Sequence, residues 1–215
     1  MNVELIDKMG SDLTVVNAAR VSFHKESNWD SITPSGVTEG ILSQKDEKLI
    51  KYLATHNHWS TFGHASLQFR IKAPIFVARQ LVKHQVGLVW NEVSRRYVDD
   101  EPSFYLPFMW RERAENKKQG SADSEVEFDI TDITEACKTV YNQMLEANIA
   151  PEMARMILPQ NMMTEWYWSG TLYAFARVCN LRNKPNSQEE TRMITHGIAK
   201  HLEDQFPVSA QYLLE

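Results

Sequence analysis

Basic residues recur at short intervals in the segment RQLVKHQVGLVWNEVSRRY, which begins at Arg79. Arg79, Lys83 and His84 fall within about one and a half turns of a predicted helix, and Arg95 and Arg96 follow later. Because the whole chain carries a net charge of −5, this cluster predicts a local anion site and not a general attraction to nucleic acid. A solvated helix face with ordinary surface arginines would show the same spacing, so the residues alone leave both interpretations open.

Two further arginines stand in well-defined contexts. Arg155 lies in PEMARMILP, where Pro151 begins a short helix and Pro159 ends it. Arg182 closes an apolar helix, where it could bind an anion or carbonyl, or only interact favourably with the helix dipole. The methionine- and tryptophan-rich stretch between them is typical of a core, although it could also line a flat pocket for a stacked ring.

Three histidines lie within nine residues, in the segment HNHWSTFGH. Such a group suggests a metal site, but His56, His58 and His64 have no Asp or Glu beside them in this segment. A histidine-rich turn is therefore favoured, and we predict no metal. The hydroxyls of Ser60 and Thr61 could instead bind a ligand phosphate.

The elements that must position these residues are mostly helical. The segment HASLQFRIK alternates apolar and polar residues and predicts a half-buried strand. The charged segment 110–128 is predicted to be a mobile surface excursion of one 215-residue domain. Strands that are few and do not alternate with helices indicate an α+β fold. The predicted strands are 3–6 and 64–72, the predicted loop is 24–44, and the predicted helices are 12–21, 46–55, 75–85, 130–148, 151–157, 171–181 and 188–205.

Several functional classes are disfavoured. The sequence contains neither GxGxxG nor GxxxxGK[ST] nor GxSxG, so Rossmann, P-loop and serine-hydrolase sites are not indicated. Cys137 and Cys179 form no CxxC pair and are predicted to be small core residues. Without a signal-peptide pattern or a long apolar stretch, we expect a cytoplasmic protein of a bacterium or of a phage-infected host cell.

Taken together, the segments HWSTFGH, KAPIFVARQ, NEVSRRY, PEMARMILP and NLR resemble, in this order, the flavin-dependent thymidylate synthases, the thymidylate synthase complementing protein family. The family signature is Arg-His-Arg, seven residues and Ser. In this chain Lys83, His84 and Gln85 are followed by eight residues and Ser94. The resemblance covers most of residues 12–205 and is nearest to the bacteriophage branch.

The resemblance implies a mostly helical single α+β domain with a small antiparallel sheet. It implies FAD-dependent methylation of dUMP to dTMP, with methylenetetrahydrofolate as carbon donor and NADPH as reductant. It also implies a homotetramer whose active sites take residues from several subunits. By position, the residues expected to contact FAD are Ser60, Lys83, His84, Gln85, Glu92, Thr171 and Arg177. The residues expected to bind dUMP are Gln80, Glu92, Ser94, Arg95, Arg96, Arg155 and Arg182.

Within this set, Arg182 is expected to be catalytic, because a guanidinium aimed at the uracil ring supports the negative charge that makes C5 nucleophilic. Arg96, Arg155 and Ser94 are expected to bind the phosphate. His84 or Lys83 is expected to supply a cation beside the reduced flavin.

Departures from the family pattern fall mainly on the flavin side. Lys83 keeps charge but loses the bidentate fork of arginine, and Gln85 loses charge altogether. Gly63, Thr171 and Asn186 also differ from the family residues, as does Arg177.

Three alternative functions stay open beside thymidylate synthesis: hydroxymethylation of uracil C5, a non-catalytic nucleotide-binding homologue that has lost flavin, and a metal hydrolase built on the histidine segment.

Overall fold

The computed structural model describes residues 1–32, 40–115 and 118–215. Its centre is a four-stranded sheet in the order β1-β4-β8-β5, in which every neighbouring pair is antiparallel. The strands of this sheet are β1 (Asn2–Met9), β4 (Ser66–Pro74), β5 (Leu88–Glu92) and β8 (Met163–Thr171). Two small antiparallel pairs lie outside it, β2 (Ser31–Ile32) with β3 (Gly40–Ile41) and β6 (Trp110–Arg113) with β7 (Ser121–Val126).

Helices supply the rest of the described fold, so the predicted α+β class is confirmed. The α-helices are α1 (Asp12–Arg20), α2 (Gln44–Thr55), α3 (Ile75–Leu81), α4 (Thr131–Glu146), α5 (Pro151–Ala154), α6 (Leu172–Arg182), α7 (Glu189–Gln205) and α8 (Pro207–Leu213). Short 3-10 helices occupy Val21–Phe23, Trp59–His64 and Arg155–Ile157. None of the helices in the described ranges combines the length and the apolar character that crossing a bilayer requires.

Strand β4 has the alternation that the sequence predicts. Leu67, Phe69 and Ile71 are buried, while the side chains between them are half-buried or exposed. Phe69 meets Phe175 of α6 edge to face, with ring centroids 4.9 Å apart. The core therefore lies between this face of the sheet and α6 and α7, and the half-buried strand prediction is confirmed.

Strand β8 was not predicted, although it lies between β4 and β5 and is central to the sheet. Trp166 and Trp168 are buried and Tyr167 is exposed, which is the alternation of a strand. A Cβ on Gly170 would lie 2.5 Å from the Gly87 carbonyl oxygen, so close approach of two backbones requires glycine here. Helix α8 was also not predicted.

Helix α3 ends at Leu81, so the prediction that it continues to Gln85 is wrong. The chain must reverse to begin β5, whose Leu88 pairs with Gly170 of β8. Gly87 makes the reversal with φ of +77°, a conformation that other residues rarely adopt. The signature residues from Lys83 onward therefore lie on a turn and not on a helix face.

The charged segment predicted to be mobile contains the β6–β7 hairpin, and Arg111 of β6 forms an ion pair with Glu190 of α7 at 2.7 Å. Its mobility stays a prediction, and residues 116–117 lie outside the described residues. Most of the loop predicted over 24–44 is irregular, but it includes β2 and β3, and residues 33–39 are likewise outside the described part.

Cys179 is fully buried, as predicted for a small core residue, and burial raises its pKa to about 12. Cys137 is half-buried on α4.

Candidate active site

A cleft opens where β5 ends and β8 begins, with a volume of about 430 Å³. Glu92 is the last residue of β5, and Met163 is the first residue of β8. Arg95 and Arg155 also line the cleft. We call this the Glu92 cleft. It brings three of the predicted dUMP residues together.

The Glu92 carboxylate is held at both oxygens. The hydroxyl of Thr164 donates to one oxygen at 2.8 Å, and the indole N–H of Trp90 donates to the other at 3.1 Å. Trp90 in turn stacks on buried Trp166, with ring centroids 4.3 Å apart. These contacts fix the Glu92 side chain while leaving it exposed toward the cleft. Thr164 was not found from the sequence, because the strand that carries it was not predicted.

The three arginines near the cleft differ in how far they are already paired. Arg95 is largely buried and pairs with Asp100 through a carboxylate contact of 2.9 Å and a bond to the Asp100 carbonyl oxygen. Arg96 is half exposed and lies 3.6 Å from Glu152. Arg155 donates its Nε to the Glu152 carbonyl at 3.3 Å and, within the described residues, has no carboxylate partner. Arg155 is therefore the one of these three arginines whose charge no described carboxylate offsets.

Arg182 lies at a second place, which we call the His84–Arg182 pair. The Nε of Arg182 donates to Nε2 of His84 at 2.9 Å. Burial lowers the pKa of His84, and the positive charges of Arg182 and Arg177 lower it further. His84 is therefore neutral at neutral pH, with its proton on Nδ1. The lowered pKa favours Lys83 over His84 as the cation expected beside a reduced flavin, and both assignments stay predictions.

Gln80 faces the start of α7. Its amide nitrogen donates to the side-chain oxygen of Gln188, and its amide oxygen accepts from the Thr191 hydroxyl at 3.2 Å. Ser94, by contrast, stays beside the Glu92 cleft, where its hydroxyl accepts a long contact of 3.4 Å from the backbone N–H of Arg96.

The predicted FAD residues are spread over several elements. Ser60 is exposed on the 3-10 helix Trp59–His64, and Gln85 is exposed on the turn after α3. Thr171 caps α6 by accepting from the Ala174 backbone N–H at 3.2 Å. Arg177 lines a second cavity of about 350 Å³ together with aromatic rings of the same region.

The charge of this region fits FAD. Among the described residues no carboxylate forms an ion pair with Lys83, Arg177 or Arg182, although the chain is acidic overall. Unneutralised cations suit the diphosphate of the cofactor and an anionic reduced ring. Glu92 is the predicted FAD contact that lies in the Glu92 cleft instead.

The histidine segment packs as a turn. The ring of His56 lies over Tyr52, with centroids 4.1 Å apart, and His58 is 6.3 Å from His56. In the part of the chain that the structure describes, no group of three or more His, Cys, Asp or Glu side chains is arranged to hold a metal.

The chain with this fold and site matches a known protein family. Residues 4–208 match the family model of the thymidylate synthase complementing protein, so the chain belongs to that family. The predicted family is confirmed, whereas the bacteriophage branch stays a prediction.

Individual relatives agree with this assignment. The chain is 35% identical to the flavin-dependent thymidylate synthase of Thermus thermophilus, an alignment that covers 99% of this chain and 77% of the relative. It is 34% identical to that of Kosmotoga olearia, with 99% and 89% covered. The crystal structure of the UMP/dUMP methylase PolB from Streptomyces cacaoi, bound with 5-Br dUMP, is similar with a TM-score of 0.80. That protein is 29% identical, with 98% of this chain and 93% of that chain covered.

Proposed function

We propose that this chain is a cytoplasmic flavin-dependent thymidylate synthase. It methylates dUMP at C5 to give dTMP, with methylenetetrahydrofolate as carbon donor, NADPH as reductant and FAD as cofactor. Membership of the family is the single observation that carries the proposal. The Glu92 cleft and the unneutralised cations around Arg182 support it, because both a nucleotide phosphate and a flavin diphosphate need such groups.

In the Glu92 cleft, Arg155 and Arg96 bind the dUMP phosphate. Arg155 has uncommitted donors, and the guanidinium of Arg96 lies over the Tyr97 ring and makes a long contact of 3.6 Å to Glu152. Ser94 adds a hydroxyl close to the backbone of Arg96. Arg95 forms an ion pair with Asp100, so we assign it mainly to holding the loop that carries Ser94 and Arg96.

At the His84–Arg182 pair, Arg182 faces the uracil ring. The Nε is occupied by His84, which orients the guanidinium and leaves four N–H groups on its two terminal nitrogens. A planar pair of these donors stabilises the negative charge that develops on the ring when C5 attacks the one-carbon unit. Lys83, Arg177, Ser60, Gln85 and the turn around Thr171 hold the cofactor. When bound, FAD contributes hydride chemistry, being reduced by NADPH and completing the methyl group.

The phosphate residues and Arg182 lie at two separate places in one chain. This separation supports a homotetramer in which Arg182 of one subunit completes the Glu92 cleft of another. Strand β5 suits such assembly, because it is at the edge of the sheet and exposes the apolar side chain of Val89.

The proposal is tested by an anaerobic assay of reconstituted protein with dUMP, methylenetetrahydrofolate and NADPH, with the product identified by mass. We expect dTMP. Hydroxymethyl-dUMP, which is heavier than dTMP by one oxygen atom, would contradict the proposal. So would protein that binds dUMP but shows no flavin absorption band after incubation with saturating FAD.

A further inference from the structure

The β6–β7 hairpin is fastened to the first turn of α7 by a buried ion pair. Nη2 of Arg111 donates to both carboxylate oxygens of Glu190, at 2.7 and 2.9 Å. The Glu190 side chain is only 5% exposed. On the hairpin side, Nε of Arg111 donates to Ser121 of β7 at 2.9 Å, so the guanidinium is fixed from two directions.

Other contacts show that the hairpin lies along this part of the chain. A Cβ on Gly120 would lie 3.4 Å from the backbone of Asn186, just before α7. Burial raises the pKa of the Glu190 carboxyl, but the hydrogen bonds and charge of Arg111 outweigh it, so the pKa lies below its ordinary value. Glu190 is therefore ionised, and removing Arg111 would leave a buried charge without its main partner.

The residues on either side of Glu190 hold Gln80. Gln188 accepts from the Gln80 amide nitrogen, while fully buried Thr191 donates to the Gln80 amide oxygen. A glutamine amide has two N–H groups and two oxygen lone pairs. Within the described residues, one N–H and one lone pair of half-buried Gln80 remain available, in a fixed orientation.

This remaining pair of groups matches the chemistry of a uracil edge. The imide edge of uracil presents a carbonyl oxygen beside an N–H, so the free donor and the free acceptor of the Gln80 amide have the complementary chemistry. A freely rotating amide would also present its groups the other way round, with the wrong pairing. An amide fixed in one orientation presents only one of these two pairings.

We propose that Arg111 and Glu190 are positioning residues, which hold the first turn of α7 against α3 and so fix the Gln80 amide for the base of dUMP. The inference rests on the proposed function. It gives the hairpin, which carries none of the predicted site residues, a role in recognising the nucleobase.

The test compares Arg111→Gln with Arg113→Gln in FAD-loaded enzyme. Arg113 lies on the same strand but is exposed, so it is the matched control. We expect the KM for dUMP to rise about tenfold in Arg111→Gln, the effect of losing a base hydrogen bond or two, with kcat within about threefold. Arg113→Gln should stay within about twofold of the wild type.

A second ligand separates recognition of the base from general damage. Deoxyribose 5-phosphate lacks the base, so its inhibition constant should change less than about twofold in Arg111→Gln. In a Gln80→Ala background, Arg111→Gln should have no further effect on dUMP, because the amide that it positions is gone. Glu190→Gln, which keeps the side-chain volume, should reproduce Arg111→Gln and serves in its place if that variant does not fold.

Equal weakening of dUMP and deoxyribose 5-phosphate, additive effects of the two substitutions, or an unchanged dUMP KM would each overturn the inference. Failure of the proposed function is recognised separately, because the wild-type enzyme would then form no dTMP.

Discussion

Replacement of Arg182 by alanine tests the proposed chemistry at its centre. In the structure the Arg182 guanidinium is half-buried, and among the described residues one hydrogen bond orients it, from its Nε to Nε2 of His84 at 2.9 Å. Its two terminal nitrogens therefore present a planar pair of donors toward a ligand. Arg182→Ala removes the charge and both donors at once, whereas Arg182→Lys keeps only the charge.

The expected loss follows from these contacts. Removing a preorganised donor that acts on developing negative charge typically costs about 2.7–4 kcal/mol, or roughly a hundred- to a thousand-fold in turnover. A lysine ammonium cannot bond to His84 and present a planar fork at the same time. We therefore expect Arg182→Lys to remain at least about tenfold below the wild type.

The structure also predicts a physical signature that does not depend on turnover. The positive charge of Arg182 is one cause of the lowered pKa of His84, after burial. Arg182→Ala should therefore raise the His84 pKa, while burial and Arg177 keep it below the ordinary value. Titration of the His84 ring by NMR measures this shift, with the wild type as reference. An unchanged pKa would mean that the two side chains are not paired in solution.

The assay is single-turnover oxidation of the reduced enzyme by dUMP and methylenetetrahydrofolate. Reduction of the flavin by NADPH is the internal control and should survive, because Arg182 is not assigned to that half-reaction. Near-normal turnover in Arg182→Ala, together with a slowed chemical step in Arg155→Ala, would show that the two roles are assigned the wrong way round.

Four further outcomes are expected. Arg155→Ala should raise the KM for dUMP by about ten- to a hundred-fold with little change in kcat, because a phosphate contact is equally strong in the ground state and the transition state. Steady-state kinetics over a range of dUMP concentrations measures both constants, and a fall confined to kcat would contradict this prediction. Lys83→Arg should retain or increase the affinity for FAD, which is measured as the flavin that stays with the protein on gel filtration. Loss of flavin from folded protein would show that Lys83 is not aligned with the first arginine of the family signature. Phe69→Ala should lower the free energy of unfolding by about 3–5 kcal/mol in chemical denaturation, since Phe69 is fully buried against Phe175. Light scattering should give the mass of a homotetramer, and a fully active monomer would refute the shared site.

The periodic elements and the family could be predicted from sequence. Strand β4 and the long helices α2, α4, α6 and α7 appear as predicted. Each packs one face on the core, so its apolar residues recur with the period of a strand or of a helix. The family assignment was also within reach, since several separate segments match in the right order, and that does not require knowing how the chain folds. The cluster of basic residues that predicts an anion site could likewise be recognised without knowing how the chain folds.

Only the tertiary structure decides which of these residues meet. The end of α3 at Leu81 depends on β5 having to pair with β8, a contact between distant segments. The neutral state of His84 depends on burial and on Arg182, which lies 98 positions away along the chain. The family resemblance placed Arg182 and Glu92 in one ligand set, and only the fold shows that they lie at two places in one chain.

The β6–β7 hairpin shows most clearly what local sequence cannot predict. A charged stretch with few apolar residues looks like a solvated excursion, because local sequence reports composition and not partners. Arg111 becomes structurally important only because the fold brings it to Glu190, whose carboxylate is withdrawn from water and needs a charged partner. Short-range periodicity determined the long helices α2, α4, α6 and α7 and strand β4 of this protein. Long-range pairing and burial decided β8, the state of His84 and the contacts that hold Gln80.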